Sequence, residues 1–503
     1  MSRAERAQKV NRGDFQTPAK LARAVCQRVA AGGAEFATLV EPTCGEGALL
    51  VAGAHAFRGL RRVEGMEINP AYAASAAEAL AATHASTGTV ECVDFFSVDW
   101  QARLSALAEP LLVLGNPPWV TSAGVRRVGG DNLPVKTNTA GLKGLEALTG
   151  KSNFDISEWM MSCLLRALEG RTATLAMLCK TAVARKVLQA GWRDELSLTR
   201  AHVYGIDARR WFGAAVDAAL LVVELGAVAG EHVAQVWPSL DASTPTSSFG
   251  YRDGVMVADV QAYARTRRWA GGCRFRWRSG VKHDCSRVME LRAKNAGFVN
   301  GLGEDVAIEH TRVFPMRKGS ELAAETTPPI GRRMLVTQSR VGEDTAELAL
   351  QTPRTWSYLQ RHGDMLDARA SSIYRKRPRF SVFGVGDYTF SLWKVAIAGL
   401  YKKLAFRVVG PHEGRPVVFD DTCYFVPCHD EAQACALAMV LMSPQAADFF
   451  SAYVFWDAKR PVTSGLLARL DVHALAAELG VELDEPTGRS EVAAPTGAEC
   501  STP

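Results

Sequence analysis

The chain has 503 residues, which is long for one domain and predicts two or three. Hydrophobic residues make up 48% and charged residues 22%, as in soluble globular proteins with sizeable cores. The net charge of +5 is small for this length, so any nucleic-acid surface must come from local clusters of basic residues.

The 11 cysteines are odd in number and irregularly spaced, which predicts reduced thiols in a cytosolic protein. The basic N-terminus MSRAERAQKVNRGDF lacks the apolar core of a secretory signal. The longest apolar run, Ala218 to Leu225, is too short to span a bilayer. We therefore expect a cytoplasmic monomer without a membrane partner.

Short apolar runs alternate with helical patterns over the first 240 or so residues. The predicted strands are Thr38–Val40, Val63–Met66, Thr89–Cys92, Leu111–Leu114, Ala173–Leu178, His202–Tyr204 and Ala219–Val223. The predicted helices are Ala19–Ala30, Ala71–Ala82, Ile156–Leu168 and Ala182–Glu195. This alternation is typical of an α/β fold with a mostly parallel sheet and helices on both faces.

The small polar run from Ser243 to Ser248 is the strongest linker signal. Beyond it the alternation ends and Arg, Trp, Tyr and Phe become more frequent. We therefore predict a catalytic domain at 1–242, a second domain at 249–480 and a disordered tail at 481–503, where Pro, Gly, Ser, Thr and Glu dominate.

Four motifs follow four successive predicted strands, about 22 to 27 residues apart. They are Glu41-Pro42-Thr43-Cys44-Gly45-Glu46-Gly47, Glu67-Ile68-Asn69, Asp94-Phe95-Phe96 and Asn116-Pro117-Pro118-Trp119. Glycines allow close approach to a ligand, and an acid at the end of the next strand can accept ribose hydroxyls. Parallel strands bring all four motifs to one edge of the sheet, which is where ligands bind.

The order of these motifs resembles the gamma class of amino-group DNA methyltransferases from type II restriction–modification systems. The resemblance implies a Rossmann-like S-adenosylmethionine-dependent methyltransferase fold with a seven-stranded sheet, followed by an α+β target recognition domain. Asp14-Phe15-Gln16-Thr17-Pro18 looks like the N-terminal cofactor motif of that family, with Thr17 near the methionine carboxylate. Trp119 departs from the usual Tyr or Phe, and Pro42-Thr43-Cys44 stands where the wider superfamily often has an acid and a glycine.

The same resemblance assigns site residues. The cofactor S-adenosylmethionine is expected to contact Thr17, Glu41, Gly45, Gly47, Glu67, Ile68, Asp94 and Phe95. Asn116, Pro117, Pro118 and Trp119 match the catalytic tetrapeptide, and Phe212 aligns with an aromatic residue that stacks on the target base. A weaker match is the segment Gly150-Lys151-Ser152-Asn153-Phe154, which opens a predicted helix much as a segment of that family does.

The expected reaction is methylation of adenine N6 in duplex DNA. The side-chain oxygen of Asn116 and the carbonyl of Pro117 would each accept one N–H of the amino group. Its lone pair would then point at the sulfonium methyl, and positioning would supply much of the catalysis. Because the target atom is inaccessible in a duplex, the base must flip out and stack between Trp119 and Phe212.

Two basic clusters in the second domain are candidate DNA contacts. Arg274, Arg276 and Arg278 alternate with Phe275 and Trp277, which would place arginines and rings on opposite faces of a strand. The other candidates are Lys282, Arg375, Arg377 and Arg379. The insertion Gly124–Lys151 would either close over DNA or be a surface loop.

Two stretches of the second domain carry a further resemblance: Trp277-Arg278-Ser279-Gly280-Val281-Lys282-His283-Asp284-Cys285 and Arg377-Pro378-Arg379-Phe380-Ser381-Val382-Phe383-Gly384. Through them, residues 269–440 resemble the C-terminal part of modification methylases of the SalI and XamI type. That resemblance suggests the site GTCGAC and a cognate restriction endonuclease as functional partner. The alternatives are methylation of an RNA base, of a protein glutamine or of cytosine N4, and a catalytically silent DNA-binding subunit. No metal site is predicted, because the spacing of Cys273, His283, Cys285, Cys423 and Cys428 is irregular.

Overall fold

A computed structural model describes residues 16–83, 87–120, 155–294, 297–326 and 328–486. The chain divides into two compact units, with the boundary between Val260 and Gln261. Asp14, Phe15, the insertion at 124–151, the segment at 150–154 and the tail beyond residue 486 lie outside the described residues.

The first unit is built on a mixed sheet. Its strands are β1 (Thr38–Glu41), β2 (Arg62–Glu67), β3 (Gly88–Cys92), β4 (Leu111–Gly115), β5 (Ala173–Lys180), β6 (Leu198–Ile206), β7 (Ala218–Leu225), β8 (Val233–Trp237), β9 (Ser247–Arg252) and β10 (Val255–Val257). Their order is β10-β9-β8-β6-β7-β5-β4-β1-β2-β3. The strands β3, β2, β1, β4 and β5 run parallel, and β7 is antiparallel to both β5 and β6.

All seven predicted strands are present. The apolar runs of β1, β4, β5 and β7 form the buried centre of the sheet, whereas β3 lies at its edge and is mostly exposed. Val113 and Leu114 of β4, for example, have no exposed surface. The helices of this unit are α1 (Ala19–Ala30), α2 (Ala48–Ala56), α3 (Pro70–Ala81), α4 (Trp100–Ser105), α5 (Ile156–Ala167), α6 (Thr181–Arg193) and α7 (Ala208–Phe212). The four predicted helices correspond to α1, α3, α5 and α6, with ends that differ by at most two residues.

The sheet is larger than the seven strands predicted, and the predicted linker is part of it. Strand β8 pairs parallel with β6, and β9 and β10 add antiparallel strands beyond it. The run from Ser243 to Ser248 forms the β8–β9 connection, and its last two residues already belong to β9. The first unit therefore extends well beyond residue 242, because small polar residues here make a hairpin turn.

Side chains from α1, β6 and β8 fasten this extension to the sheet. The Arg28 guanidinium lies over the rings of Tyr204 and Trp237, at 4.7 and 5.0 Å from their centroids. Its Nη2 donates to the carbonyl of Ala242 over 2.6 Å, and Trp237 Nε1 donates to His202 Nδ1 over 3.2 Å. Cation–π stacking and hydrogen bonds thus bind β8 to the remainder of the first unit.

The second unit mixes small sheets and helices. One antiparallel sheet has the order β11-β20-β17-β18 and the other the order β14-β13-β12-β16-β15-β19. The strands are β11 (Arg278–Ser279), β12 (Glu290–Lys294), β13 (Gly297–Asn300), β14 (Asp305–Val306), β15 (Val313–Arg317), β16 (Arg332–Leu335), β17 (Trp393–Ala398), β18 (Arg407–Val409), β19 (Val418–Phe419) and β20 (Cys423–Cys428). In the second sheet the β15–β19 pair is parallel.

The helices of this unit are short. They are α8 (Val260–Thr266, which begins at the boundary), α9 (Ser286–Met289), α10 (Gly319–Ala323), α11 (Leu348–Gln351), α12 (Pro353–Arg361), α13 (Gly363–Asp367), α14 (Glu431–Leu441), α15 (Pro444–Ser451), α16 (Ser464–Leu467) and α17 (Val472–Leu479). Among the described residues, no single helix is long and apolar enough to cross a membrane; only α14 and α15 taken together, bent by 58°, reach that length and composition.

Candidate active site

The loop after β1 meets the end of β2 through the carboxylate of Glu67. Its Oε2 accepts from the backbone N–H of Gly45, and its Oε1 from that of Asn69, both over 2.9 Å. Gly45 and Gly47 have φ of +54° and +84°, a backbone conformation that favours glycine. A Cβ atom at Gly45 would lie 2.3 Å from Oε1 of Gln16. The glycines therefore allow this loop to pack closely against its neighbours.

Gln16 is a loop residue to which the sequence assigned no role. Its Oε1 accepts from the backbone N–H of Glu46 over 3.0 Å, which ties the segment before α1 to the glycine loop. The signal was present, because Gln16 stands beside Thr17 in the quoted N-terminal motif. The motif alone could not tell which of the two side chains contacts the loop.

Glu41 is a buried carboxylate at the end of β1. It is 2% exposed, and Oε2 has no hydrogen-bond partner among the described residues. Burial raises the pKa of Glu41 well above its ordinary value, a hydrogen bond from the backbone of Leu50 opposes this, and the charge of Glu67 adds to it. A buried acceptor without a partner is costly, so a ligand that donates to it would be favoured.

The tetrapeptide that the sequence predicts to be catalytic begins at the carboxyl end of β4. Asn116 is half-buried, and its Nδ2 donates to Oγ1 of Thr17 over 3.2 Å. Pro117 is buried behind it, and Pro118 is partly exposed. Two motifs 99 residues apart in sequence thus meet at the edge of the sheet where β1 and β2 also end.

Trp119 and Phe212 contact each other. Their ring centroids lie 5.1 Å apart with an interplanar angle of 70°, and Trp119 Nε1 donates to the carbonyl of Leu178 over 3.2 Å. The structure brings the two predicted stacking residues together, as an edge-to-face pair. In this arrangement they form one continuous aromatic wall, whereas rings that sandwich a base face each other across it.

The remaining cofactor candidates differ in accessibility. Asp94 Oδ1 accepts from the backbone N–H of Phe96 over 3.0 Å and so caps the turn that follows β3. Phe95 is 5% exposed and packs on Trp100, with centroids 4.7 Å apart. The neighbouring Phe96 is only partly buried. Ile68 is 52% exposed directly after β2, so an apolar surface is available beside Glu67.

The basic candidates of the second unit fall into two groups. Four are already engaged: Arg274 pairs with Glu485, Arg278 lies over the Tyr388 ring, Lys282 lies near Asp284 and Asp421, and Arg379 pairs with Asp367. Arg276, Arg375 and Arg377 are exposed, as is the neighbouring Lys376, and no carboxylate among the described residues pairs with any of these four. These four basic side chains are therefore the ones available to an anionic partner.

The alternation of burial predicted from Arg274 to Arg278 is present, although only Arg278 and Ser279 lie in a strand. Phe275 and Trp277 are buried, and Arg274 and Arg276 are exposed. Burial of Arg278, together with the nearby charge of Arg276, lowers the pKa of its guanidinium. Among the described residues, no group of three or more His, Cys, Asp or Glu side chains is placed to hold a metal ion.

The strand order, the antiparallel β7 and the loops at the carboxyl ends of β1, β2 and β4 define the S-adenosylmethionine-dependent methyltransferase fold. S-adenosylmethionine is therefore the expected cofactor. The residues present fit it: Glu41 offers a buried acceptor to a donor such as an amino group, and Ile68 offers an exposed apolar surface beside Glu67.

The chain belongs to the type II methyltransferase family. It is 42% identical over 469 residues to the type II methyltransferase M.NspV of Nostoc sp. (strain ATCC 29411 / PCC 7524). The aligned region covers 93% of this chain and 98% of that protein. No family model matches the chain.

The solved structure of the type IIL restriction-modification enzyme MmeI in complex with DNA is similar in fold. The TM-score is 0.53 at 14% identity, over 86% of this chain and 62% of MmeI, so this chain spans less than two thirds of that protein. A class I S-adenosylmethionine-dependent methyltransferase structure from Listeria monocytogenes matches with a TM-score of 0.32 at 12% identity, over 46% of this chain and 68% of that one.

Proposed function

We propose that this protein is a DNA methyltransferase of a restriction–modification system, and that it transfers a methyl group from S-adenosylmethionine to adenine N6 in duplex DNA. The observation that carries the proposal is the meeting of Asn116 with Thr17 at the edge of the sheet beside the glycine loop. The family membership and the motif order of the gamma class support it.

In the proposed mechanism this chain positions the amino group of adenine. Bound S-adenosylmethionine supplies an electrophilic methyl group. The side-chain oxygen of Asn116 and the carbonyl of Pro117 each accept a hydrogen bond from one N–H of the amino group, which draws the nitrogen towards tetrahedral geometry. When the nitrogen takes the methyl group, S-adenosylhomocysteine leaves as the second product and the methylated nitrogen releases one proton. The hydrogen bond from Asn116 Nδ2 to Thr17 fixes the orientation of the carboxamide. The amide oxygen is then on the side of the group away from Thr17.

The flipped base would lie against the aromatic wall of Trp119 and Phe212. Stacking on an aromatic ring contributes about 1–3 kcal/mol per base, which offsets the cost of unstacking the target nucleotide. Both rings are partly exposed, and Trp119 is proposed as the principal contact because it belongs to the tetrapeptide that begins with Asn116, with Phe212 packed at its edge.

We further propose that the second unit is the target recognition domain, and that DNA phosphates or guanine edges contact Arg276, Arg375 and Arg377. These guanidinium groups are exposed and lack carboxylate partners among the described residues, so binding DNA would break no existing ion pair. Arg274, Arg278, Lys282 and Arg379 are weaker candidates, because DNA would have to displace their present contacts.

The test is to incubate the protein with labelled S-adenosylmethionine and duplex DNA, RNA or a protein extract, and to digest the methylated DNA to nucleosides. We expect label in DNA, with N6-methyldeoxyadenosine as the product. N4-methyldeoxycytidine would contradict the adenine assignment, and label in RNA or protein would contradict the substrate class. Sequencing the methylated DNA gives the site, for which GTCGAC is the expected sequence.

The Asn116→Ala variant separates catalysis from binding. We expect it to bind S-adenosylhomocysteine and duplex DNA like the parent and to lose methyl transfer by about 100-fold or more. Activity near that of the parent would rule out the role proposed for Asn116.

A further inference from the structure

An ion pair between Asp155 and Lys180 lies next to the catalytic tetrapeptide. Oδ2 of Asp155 accepts from Nζ of Lys180 over 2.7 Å. Asp155 immediately precedes α5, and the backbone N–H of Ile156 donates to the carbonyl of Val120 over 2.9 Å. Val120 directly follows Trp119, so the start of α5 is bonded to the end of the catalytic loop.

Asp155 is fixed by more than this ion pair. Its Oδ1 accepts from the backbone N–H of Ser157 over 3.1 Å and from the hydroxyl of Ser157 over 2.5 Å, which caps α5. The residue is 7% exposed. A carboxylate buried to this degree needs a cation or several donors nearby, and Lys180 is the cation.

Lys180 is itself held by the sheet. It is the last residue of β5 and pairs with Ala218 of β7. Leu178, two residues earlier in β5, accepts the indole hydrogen bond of Trp119 over 3.2 Å. The end of β5 therefore holds the catalytic loop at two places: Trp119 through Leu178, and Val120 through Asp155 and Ile156.

We propose that Asp155 and Lys180 are positioning residues for methyl transfer, which hold Trp119 and Val120 so that the loop beginning at Asn116 keeps its reactive geometry. This inference rests on the proposed function, because it assigns the Asn116 loop to catalysis. Neither residue is proposed to touch the cofactor or the target base. An error of about 1 Å in such a loop can lower the rate about 100-fold.

The chain offers a matched control. Lys186 of α6 and Glu158 of α5 form a second ion pair between neighbouring segments, with 3.0 Å between Nζ and Oε2. Their side chains are 58% and 27% exposed, and within the described part of the chain no hydrogen bond of either side chain reaches the catalytic loop. Both pairs join α5 to the β5–α6 segment, so a general effect on helix packing would appear in both.

The variants are Lys180→Met, Asp155→Asn, the double variant, and Lys186→Met as the control. We expect Lys180→Met to lower the single-turnover rate of methyl transfer to duplex DNA by about 10- to 100-fold, with unchanged affinity for S-adenosylhomocysteine. The double variant removes both charges and should recover part of that rate, because it leaves no buried carboxylate without a cation. Equal rates for Lys180→Met and Lys186→Met would overturn the proposal.

Hydrogen–deuterium exchange gives a second measurement that requires no substrate. We expect the Ile156 amide to exchange faster in Lys180→Met than in the parent, and to be unchanged in Lys186→Met. Unchanged exchange at Ile156 in Lys180→Met would overturn the proposal even if the parent methylated no DNA. An inactive parent with the expected exchange pattern would instead contradict the proposed function and leave the positioning contact established.

Discussion

Nδ2 of Asn116 donates to Oγ1 of Thr17 across 3.2 Å, and this contact joins the end of β4 to the segment before α1. The hydrogen bond has a direction that matters for chemistry. Because the amide nitrogen faces Thr17, the carboxamide oxygen lies on the other branch, as an acceptor for a substrate amino group requires. We therefore propose that Thr17 orients Asn116, besides making the cofactor contact expected from the sequence.

Thr17→Val tests this orienting role, because it keeps the shape of the side chain and removes the acceptor. We expect the maximal rate of methyl transfer to fall about 10-fold, since the lost hydrogen bond no longer fixes the carboxamide. Thr17→Ser retains the hydroxyl and should remain close to the parent. Single-turnover kinetics with saturating cofactor make the measurement, and a Thr17→Val rate equal to that of Thr17→Ser would contradict the role.

The central strands could be predicted because they are buried on both faces. Strands such as Leu111–Gly115 are apolar throughout and leave little doubt about their position. The motifs at their ends follow from the same signal, since parallel strands share one edge. Contacts such as Gln16 with the glycine loop could not be predicted, because they depend on side-chain positions that sequence spacing does not fix.

The prediction was wrong about where the sheet of the first unit ends, and this error has a different cause. Strands β8 to β10 are short and only partly buried, with residues such as Gln235 exposed, so their apolar signal is weak. The turn at Asp253-Gly254, where both residues have positive φ, is nevertheless a strong hairpin signal. Giving that turn more weight than the polar run at 243–248 would have moved the boundary towards Val260.

Gly47→Ala should destabilise the folded protein by more than the cost of placing an alanine in a left-handed backbone conformation. The new Cβ atom would lie 3.0 Å from Cα of Ala76, in addition to the cost of a left-handed conformation. Gly33→Ala is the matched control, because Gly33 has φ of +77° but open space around it, so its cost is about 1–2 kcal/mol. Chemical denaturation should show a larger loss in the free energy of unfolding for Gly47→Ala than for Gly33→Ala. Equal losses would contradict the close approach of Gly47 to Ala76.

Glu41→Gln should make stability less dependent on pH. The pKa of Glu41 is raised in the folded protein. The contribution of Glu41 to folding stability is therefore complete below its pKa of 4.5 in the unfolded chain, and it is lost as the pH rises from there towards its pKa in the folded protein. Within that window the parent should lose about 1.4 kcal/mol per pH unit relative to the variant. Glu46→Gln, at an exposed neighbour, is the control.

Denaturation of both glutamine variants and the parent from pH 4 upwards makes this measurement. We also expect Glu41→Gln to bind S-adenosylhomocysteine more weakly, since the buried carboxylate is proposed to receive a donor of the ligand. A variant that followed the parent at every pH would contradict the burial of an ionisable group at Glu41.

Arg375→Ala and Arg377→Ala should each weaken DNA binding and reduce its dependence on salt. Each exposed guanidinium that contacts a phosphate contributes about 1 to the slope of log affinity against log salt concentration. Arg379→Ala is the control, because Arg379 already forms an ion pair with Asp367 over 2.7 Å. Fluorescence anisotropy with duplex DNA at several salt concentrations should show a smaller change for the control; the reverse order would contradict the assignment.

Trp119 and Phe212 should act as one unit when the target base leaves the duplex. Because the two rings meet edge to face at 5.1 Å, Phe212 can fix the orientation of Trp119 without facing the base. We expect Trp119→Ala to weaken capture of the base by about 1–3 kcal/mol, Phe212→Ala to cost less, and the double variant to match Trp119→Ala. The fluorescence of 2-aminopurine at the target position reports capture, and Trp119→Phe should retain most of it. If the two single effects added in the double variant, each ring would contact the base independently, and Phe212 would not act through Trp119 as proposed.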